Sequence, residues 1–448
     1  MTNSSHQSVH VAVLPFPFAS HVGSLLSLVQ RLAEYAPDSV FSCFSTSKSI
    51  QKNFPTPNKT SNVRPYIVDD GLTEGYVIGP DLEEQVGYFL EAAADNFRRG
   101  MEVAMAETGR RVSCVMSDTF CWFSANIAEE MHVPWVAMWN SGPFALSAHL
   151  HTDLLRQTFD ISDLAKYENQ SLEFIPGLSA IRVKDIPPEI LHENPNSTFP
   201  RMLDNMVQVL PRARAIAVNA FDGLDPVVTK DLMSKLNIIN VGPLSLTLQK
   251  SSSISDKHGC LEWLDKHDST SVAYVAFGTI LMPSPEEIKA LAEALEEKEI
   301  PFLWCIQGNA LDLLPYGFVE RTKETGKLVP WAPQLQVLGH PALGVHITHS
   351  GWNSVLESVV MGVPMICRPF FADHGPNTRL VDFVWKIGLA LEGGIITKPN
   401  ILSALERIFS PEEGKKIREN IGYLKVVAAK ANGSDGNFKK LLDAITSI

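Results

Sequence analysis

A histidine and an aspartate each follow a strand-like stretch in the first part of the chain. His21 comes a few residues after the apolar run 9–14, and Asp118 comes shortly after the run 112–116. Side chains beyond the carboxyl ends of parallel strands open onto one crevice. A neutral imidazole can take a proton from a hydroxyl group, and a buried carboxylate behind it can fix its tautomer. The pair predicts general-base catalysis, although either residue alone is more often structural.

The segment 331–374 holds a second set of residues with chemical potential. It reads WAPQLQVLGHPALGVHITHSGWNSVLESVVMGVPMICRPFFADH. Its pattern predicts a buried strand over 345–348, a small polar turn, and a helix that Asn353 and Ser354 cap. A further strand is expected over 365–367.

This strand–turn–helix unit predicts a nucleotide site. A helix N-terminus presents unpaired N–H groups and the positive end of its dipole, which suit phosphate. Glu357 lies one turn inside the helix, where a carboxylate can accept hydrogen bonds from ribose hydroxyls. Trp331 offers a flat face for stacking of a base.

The same segment resembles the donor-binding signature of plant secondary-product UDP-dependent glycosyltransferases, WAPQ followed by HxGWNS, Glu, Pro and a final Asp–Gln. An ordinary capped helix would explain the small polar residues, but not Trp, Gln, His, Glu and Asp at this spacing. Ser350 stands where the family usually has Cys. His374 stands where glucose-using members have Gln, and in the family a His here is associated with galactosyl transfer. The resemblance favours galactose and leaves glucose as the alternative.

The resemblance implies the GT-B fold, an α/β architecture in which two Rossmann-like, doubly wound parallel-sheet domains face a cleft. It also implies an inverting single displacement with His21 as base and Asp118 behind it. The implied donor-binding residues are Ser20, Asn140, Thr279, Trp331, Ala332, Gln334, His349, Trp352, Asn353, Ser354, Glu357, Asp373 and His374.

Shorter stretches, at 69–76, 106–110 and 368–371, resemble the flavonoid 3-O-glycosyltransferase branch of that family. This implies a flavonol or an anthocyanidin as the acceptor. A flat phenol needs aromatic surfaces, and the loops near the His–Asp pair are rich in them. Most aromatic residues fill core, so this role depends on their proximity to the pair. The acceptor-binding candidates are Phe16, Phe18, Phe120, His149 and Phe371, with Trp122 and Phe144 as further aromatic faces.

Strand-like and helical stretches alternate twice along the 448 residues, and a Pro- and Ser-containing stretch separates the two series. We predict an N-terminal acceptor-binding domain over 1–242, a linker over 243–257, and a UDP-sugar-binding domain over 258–430. The resemblance packs a C-terminal helix, 431–448, back on the first domain. The first helix is expected over 25–32.

Composition narrows the function classes. A net charge of −12 without a basic cluster argues against nucleic acid or a membrane surface as partner. No run is long enough to span a bilayer, no signal peptide is evident, and six scattered cysteines indicate reduced, buried thiols. We therefore expect a cytoplasmic monomer that binds a UDP-hexose and a small phenol.

The remaining alternatives differ in class. A dinucleotide-dependent oxidoreductase needs a Gly-x-Gly-x-x-Gly turn after the first strand, and residues 15–20 contain none. A non-catalytic UDP-sugar-binding protein would not need the intact His21 and Asp118 pair. No Asp-x-Asp pair occurs in the chain, so we expect neither a metal nor any cofactor beyond the sugar nucleotide.

Overall fold

The computed structural model describes residues 8–18, 20–54, 61–72, 81–246, 255–278, 280–432 and 436–446. The chain divides into two compact units. The first unit comprises Met1–Leu164, Glu189–Thr247 and Ser434–Ile448, and the second comprises Ala165–Pro188 and Leu248–Gly433.

The first unit is built on a parallel sheet that has seven strands within the described residues, in the order β3-β2-β1-β4-β5-β6-β7. Most of these strands are continuous apolar runs buried on both faces, as parallel strands between helix layers must be. The order reverses between β1 and β4, which makes their carboxyl ends the expected ligand-binding edge. The strands are β1 His10–Leu14, β2 Val40–Ser45, β3 Val63–Ile67, β4 Cys114–Asp118, β5 Trp135–Trp139, β6 Ala215–Val218 and β7 Ile238–Asn240.

Helices between these strands bury their apolar faces on the sheet. They are α1 His21–Tyr35, α2 Ser47–Asn53, α3 Leu82–Thr108, α4 Ser124–Glu130, α5 Pro143–Leu150, α6 Thr152–Thr158, α7 Thr198–Val209 and α8 Pro226–Lys235. Asp81 caps α3 by accepting a hydrogen bond from the backbone N–H of Glu83, and Gly109 ends it in the left-handed conformation.

The second unit repeats the design with a parallel sheet of six strands within the described residues, in the order β10-β9-β8-β11-β12-β13. Here the order reverses between β8 and β11. The strands are β8 Val272–Ala276, β9 Phe302–Cys305, β10 Gly326–Val329, β11 Leu343–Thr348, β12 Met365–Cys367 and β13 Gly388–Ala390. Two doubly wound parallel sheets confirm the predicted pair of Rossmann-like domains.

The helices of the second unit are α9 Cys260–Leu264, α10 Pro285–Glu297, α11 Phe318–Arg321, α12 Gln334–Leu338, α13 Trp352–Met361, α14 His374–Arg379, α15 Lys398–Phe409 and α16 Glu413–Asn432. Capping boxes start α10 at Ser284 and α15 at Thr397. Gly362, in the left-handed conformation, ends α13.

The last helix, α17 Gly436–Thr446, belongs to the first unit. Its apolar face enters the core beside β1 and α1, and its buried residues are Phe438, Leu441, Leu442 and Ile445. The guanidinium of Arg31 lies 3.5 Å from the centre of the Phe438 ring. Burial of these apolar side chains holds the C-terminal helix in the core of the first unit.

Two boundaries differ from the sequence prediction. Leu244 is buried in the core of the first unit, so that unit extends past residue 242; residues 247–254 of the expected linker lie outside the described residues. The segment Ala165–Pro188, predicted within the first domain, groups with the second unit instead. Arg379 donates to the carbonyl of Ala180 at 2.8 Å, and a Cβ on Gly375 would lie 2.5 Å from the carbonyl oxygen of Asp185.

Some local expectations also need correction. His21 is the first residue of α1 and not part of a loop, because the helix begins one turn earlier than its apolar run. Asn353 and Ser354 do not cap α13; Gly351 occupies the N-cap position, and both residues lie in the first turn. All six cysteines are free, as predicted, and five of them are buried. Within the described part of the chain, no helix is long and apolar enough to cross a bilayer.

Candidate active site

His21 and Asp118 meet at the point where the strand order of the first sheet reverses. His21 opens the helix after β1, and Asp118 ends the neighbouring β4. Nδ1–H of His21 donates to Oδ2 of Asp118 at 2.7 Å, and Asp118 is fully buried while 19% of the His21 side chain is exposed. The neutral ring thus carries its proton on Nδ1 and presents the Nε2 lone pair to accept another.

The Asp118 carboxylate is held by two further donors. Oδ1 accepts from the backbone N–H of Phe120 at 2.9 Å, and Oδ2 also accepts from Nδ2 of Asn140. Asn140 is buried, and its Oδ1 has no hydrogen-bond partner among the described residues. Asn140, predicted to contact the sugar, therefore contacts Asp118 in this structure.

Aromatic rings surround the imidazole of His21. Its ring centre lies 4.7 Å from that of Phe120 and 5.3 Å from that of Phe16. Phe18 packs on Phe16 at 5.0 Å. These three predicted acceptor-binding residues thus form one aromatic wall beside the candidate base, a surface suited to a flat phenol.

Two further aromatic residues, which were not predicted from the sequence, belong to this wall. Phe89 of α3 contacts both Phe16 and Phe18, and Trp139 at the end of β5 contacts Phe120. His149 joins through Trp139 at 5.8 Å. Burial, aided by the charge of Arg156, lowers the pKa of His149 to about 3, so its ring is neutral. Of the two further aromatic candidates, Phe144 is buried and Trp122 packs on Phe123.

In the second unit, His349 follows β11 at the corresponding reversal of strand order. Its ring packs so closely on the backbone that a Cβ on Gly351 would lie 2.4 Å from Nε2, and one on Gly278 would lie 3.0 Å away. A side chain at Gly351 would therefore displace the His349 ring, and at Gly278 the positive φ of 80° adds strain for any residue but glycine. Burial, with the charge of His374 acting in the same direction, lowers the pKa of His349 to about 3. Its Nδ1 has no hydrogen-bond partner among the described residues.

The first turn of α13 leads to a polar cluster around Gln334. Nε2 of Gln334 donates to Oγ of Ser354 at 3.0 Å and to Oε2 of Glu357 at 2.7 Å. Burial raises the pKa of Glu357 to about 7, against the opposing effect of the Gln334 hydrogen bond. Three predicted donor-binding residues thus form one network.

His374 is buried beside His349, with 4.8 Å between the ring centres. Its Nδ1 accepts hydrogen bonds from the backbone N–H groups of Phe370 at 3.3 Å and Phe371 at 3.4 Å. Burial, and then the charge of Arg368, lowers the pKa of His374 to about 4. The ring is therefore neutral with its hydrogen on Nε2, which can only donate.

The other predicted donor residues are placed as follows. Trp331 is 42% exposed, whereas Ala332 is buried. The indole of Trp352 packs inward on Trp385, so only its backbone belongs to the helix terminus. Asp373 is the N-cap residue of α14 and accepts from Asn377 at 3.0 Å.

Of the remaining predicted residues, some lie in each unit and one lies outside the described residues. Asn353 lies in the first turn of α13, and Ser20 is the N-cap residue of α1. Phe371 lies in the second unit, with its ring centre 5.0 Å from that of His374. Thr279 lies outside the described residues.

Chemically, the two units supply complementary parts. One presents a carboxylate-backed imidazole among aromatic rings. The other presents a helix N-terminus, a carboxylate network and an exposed indole, which suit the phosphate, ribose and base of a nucleotide. Among the residues that the structure describes, no three His, Cys, Asp or Glu side chains are grouped to hold a metal ion. Two Rossmann-like units that hold these residues fit the class predicted from the sequence, a nucleotide-sugar-dependent transferase.

Comparison with known proteins supports this class. Residues 11–428 match the family described as UDP-glucoronosyl and UDP-glucosyl transferase. An anthocyanidin 3-O-galactosyltransferase of Rhododendron delavayi is 48% identical over 450 residues, 99% of each chain. A flavonol 3-O-glucosyltransferase of Actinidia chinensis var. chinensis is also 48% identical, over 98% of this chain and 97% of the relative.

The fold agrees with solved structures. A UDP-glucose:anthocyanidin 3-O-glucosyltransferase in complex with UDP superposes with a TM-score of 0.92 at 40% identity, covering 99% of this chain and 100% of that one. The chain therefore belongs to the UDP-glycosyltransferase family, and the predicted family and GT-B fold class are confirmed.

Proposed function

We propose that this enzyme transfers a hexose from a UDP-sugar to the 3-hydroxyl of a flavonoid, either a flavonol or an anthocyanidin. The observation that carries the proposal is the 2.7 Å hydrogen bond from His21 to Asp118 within an aromatic wall. Relatives that match nearly the whole chain are named for 3-O transfer to anthocyanidins and flavonols.

The reaction is an inverting single displacement. Nε2 of His21 takes the proton of the acceptor hydroxyl while its oxygen forms a bond to the anomeric carbon of the sugar. The bond from that carbon to the β-phosphate oxygen breaks, and UDP departs with the electron pair. Asp118 stabilises the imidazolium that forms, because its carboxylate accepts the Nδ1 hydrogen.

The donor nucleotide is assigned to the second unit. N–H groups in the first turn of α13, with His349 beside them, stabilise the charge that grows on the diphosphate. The network of Gln334 and Glu357 holds the ribose, and the exposed face of Trp331 stacks on the uracil. No metal takes part in this scheme.

We further propose UDP-galactose as the preferred donor, with UDP-glucose as the alternative. The two relatives at 48% identity are named for different sugars, so whole-chain similarity does not separate them. His374 occupies the position that meets the sugar in the family. Its Nε2–H can only donate, whereas a glutamine amide could donate and accept. The two hexoses differ in the direction of their 4-hydroxyl. A change in the hydrogen-bonding group at position 374 therefore shifts the relative affinity for the two UDP-sugars.

The test is a comparison of kcat/KM for UDP-galactose and UDP-glucose with quercetin, in the wild type and in His374→Gln. We expect wild type to prefer galactose, and the variant to shift the ratio toward glucose by roughly tenfold, the value of one hydrogen bond. Ser350→Cys, which restores the other departure from the family pattern, is the control and should leave the ratio unchanged. A wild-type preference for glucose would refute the galactose assignment, and the absence of any turnover would favour a non-catalytic UDP-sugar-binding protein.

A further inference from the structure

A buried tyrosine lies behind the carboxylate network of the second unit. Tyr274, in the middle of β8, is 1% exposed, and its ring stacks on that of His346 at 5.0 Å between centres. Its hydroxyl donates to Oε1 of Gln334 at 3.2 Å and lies 3.5 Å from Sγ of Cys305. Neither the family signature nor the predicted site includes this residue.

The Tyr274 hydroxyl acts as a hydrogen-bond donor toward Gln334 and as an acceptor toward Cys305. Burial raises the pKa of both Tyr274 and Cys305, so each keeps its hydrogen. The thiol can therefore donate to the phenol oxygen, while the phenol donates to the amide oxygen of Gln334. An amide whose oxygen is engaged in this way must direct its NH₂ group to the opposite side.

That opposite side is where Ser354 and Glu357 lie. The NH₂ group of Gln334 donates to Oγ of Ser354 and Oε2 of Glu357. With the amide turned over, its oxygen would face the Glu357 carboxylate, and two acceptors would meet in a buried place. Because Ser354 Oγ accepts from Gln334, its own hydrogen is directed elsewhere.

We propose that Tyr274 is a positioning residue for the donor nucleotide, fixing the amide of Gln334 so that Glu357 is held ready for the ribose hydroxyls. This role rests on the ribose site proposed above. Tyr274 does not contact the nucleotide in this scheme. It acts by orienting Gln334, which in turn orients Glu357.

The experiment measures binding of UDP and of 2′,3′-dideoxyuridine diphosphate by calorimetry. Tyr274→Phe keeps the ring and removes only the hydroxyl. We expect it to weaken UDP about fivefold, the value of one neutral hydrogen bond, and to leave the dideoxy nucleotide unaffected. In turnover, KM for the UDP-sugar should rise by the same factor while kcat and KM for the acceptor stay unchanged.

Thr322→Val is the matched control. Its buried hydroxyl also lies in the second unit, where it donates to the carbonyl of Phe318 at 2.8 Å and has no part in the hydrogen bonds from Tyr274 to Glu357. Its removal should lower stability and leave both nucleotide affinities unchanged. Equal losses for the two nucleotides in Tyr274→Phe would show a merely structural effect and overturn the proposal.

Glu357→Ala separates this proposal from the site on which it rests. If that variant loses UDP selectively and Tyr274→Phe does not, the positioning role is wrong and the ribose site stands. If Glu357→Ala binds both nucleotides as the wild type does, the ribose site and the role of Tyr274 both fall.

Discussion

Arg368 and Glu287 form a bidentate ion pair inside the second unit. Nε of Arg368 donates to Oε1 of Glu287 at 2.8 Å, and Nη2 donates to Oε2 at 2.7 Å. The remaining Nη1 donates to the carbonyl of Pro369, and the guanidinium lies 3.9 Å from the centre of the Phe370 ring. The pair therefore anchors the residues whose backbone N–H groups set the tautomer of His374.

Glu287→Gln should lower the stability of the fold in a pH-dependent way. Burial alone raises the pKa of Glu287, but hydrogen bonds from Arg368 and the N–H groups of Ile396 and Ser284 outweigh it and bring the pKa to about 2. A lowered carboxyl pKa stabilises the fold above the ordinary value of 4.5, and this stabilisation is lost as the pH falls toward 2. We expect a loss of about 3 kcal/mol at pH 7 in urea unfolding, shrinking below pH 4.5.

Glu413→Gln is the control for this measurement. Glu413 also pairs with both donors of an arginine, Arg407, but the two side chains are 44% and 48% exposed. Solvent screens such a pair, so we expect a loss below about 1 kcal/mol. Similar losses in the two variants would contradict a special contribution from the buried pair.

His21→Ala should abolish transfer and leave UDP binding intact. Removing a general base costs roughly 10²- to 10⁴-fold in kcat, and the nucleotide site is assigned to residues of the other unit. Asp118→Asn should lower kcat by about a hundredfold or more, because a neutral amide in place of the carboxylate cannot stabilise the imidazolium. Turnover and UDP calorimetry provide the measurements, with the exposed His192→Ala as control. Near-normal turnover in His21→Ala would remove its assignment as base.

Asn140 offers a separate test of how the Asp118 carboxylate is held for its proposed role. Asn140→Ala removes a donor to Asp118, and a hydrogen bond to a charged group is worth about 1.5–3 kcal/mol, so kcat should fall roughly tenfold to a hundredfold. Asn140→Asp should be worse, since it places a second carboxylate beside the first. A rise in KM for the UDP-sugar at unchanged kcat would instead indicate that Asn140 acts on the sugar.

The sequence predicts the buried central strands of each sheet better than the strands at its edges. The strands predicted at 345–348 and 365–367 are present as β11 and β12 because central parallel strands are continuous apolar runs. Three strands gave no such signal: Ile238–Asn240, Gly326–Val329 and Gly388–Ala390. Each lies at the edge of its sheet and includes Asn, Lys or Gly among its three or four residues, so it carries too few apolar residues to form a pattern.

The site residues also divide into those that the sequence predicts and those that it does not. Residues within the signature, such as Gln334 and Glu357, were found because their spacing in sequence is short and fixed. Phe89, Trp139 and Tyr274 were not, because each reaches its partner through tertiary packing and reads locally as ordinary core. The tautomer of His374 depends on two backbone N–H groups, which no side-chain pattern encodes.

Activity should survive removal of divalent metals. In the proposed reaction, charge on the departing diphosphate is stabilised by backbone N–H groups at the start of α13 and by His349, which replace a bridging cation. We expect kcat with quercetin to stay within about twofold after dialysis against EDTA and to change little when Mg²⁺ is restored. Strict dependence on added Mg²⁺ would contradict the metal-free scheme.

The raised pKa of Glu357 predicts opposite effects on stability and on donor binding. Burial is the main cause and brings the pKa from 4.5 to about 7, so the folded protein keeps a proton that the unfolded chain loses between these values. Stability must therefore decline as the pH rises through this window. Glu357→Gln removes the titration, and we expect it to be about 1–2 kcal/mol more stable than wild type at pH 8 and equal to it near pH 4.5.

Donor binding should change in the other direction, because the ionised carboxylate is the better acceptor for ribose hydroxyls. KM for the UDP-sugar should fall in wild type as the pH rises from 6 to 8, and in Glu357→Gln it should be higher and independent of pH over that range. Thermal unfolding and initial rates at matched pH provide the two readings. A variant with wild-type KM at pH 8, or a wild-type KM that does not change with pH, would show that Glu357 does not bind the donor as an anion.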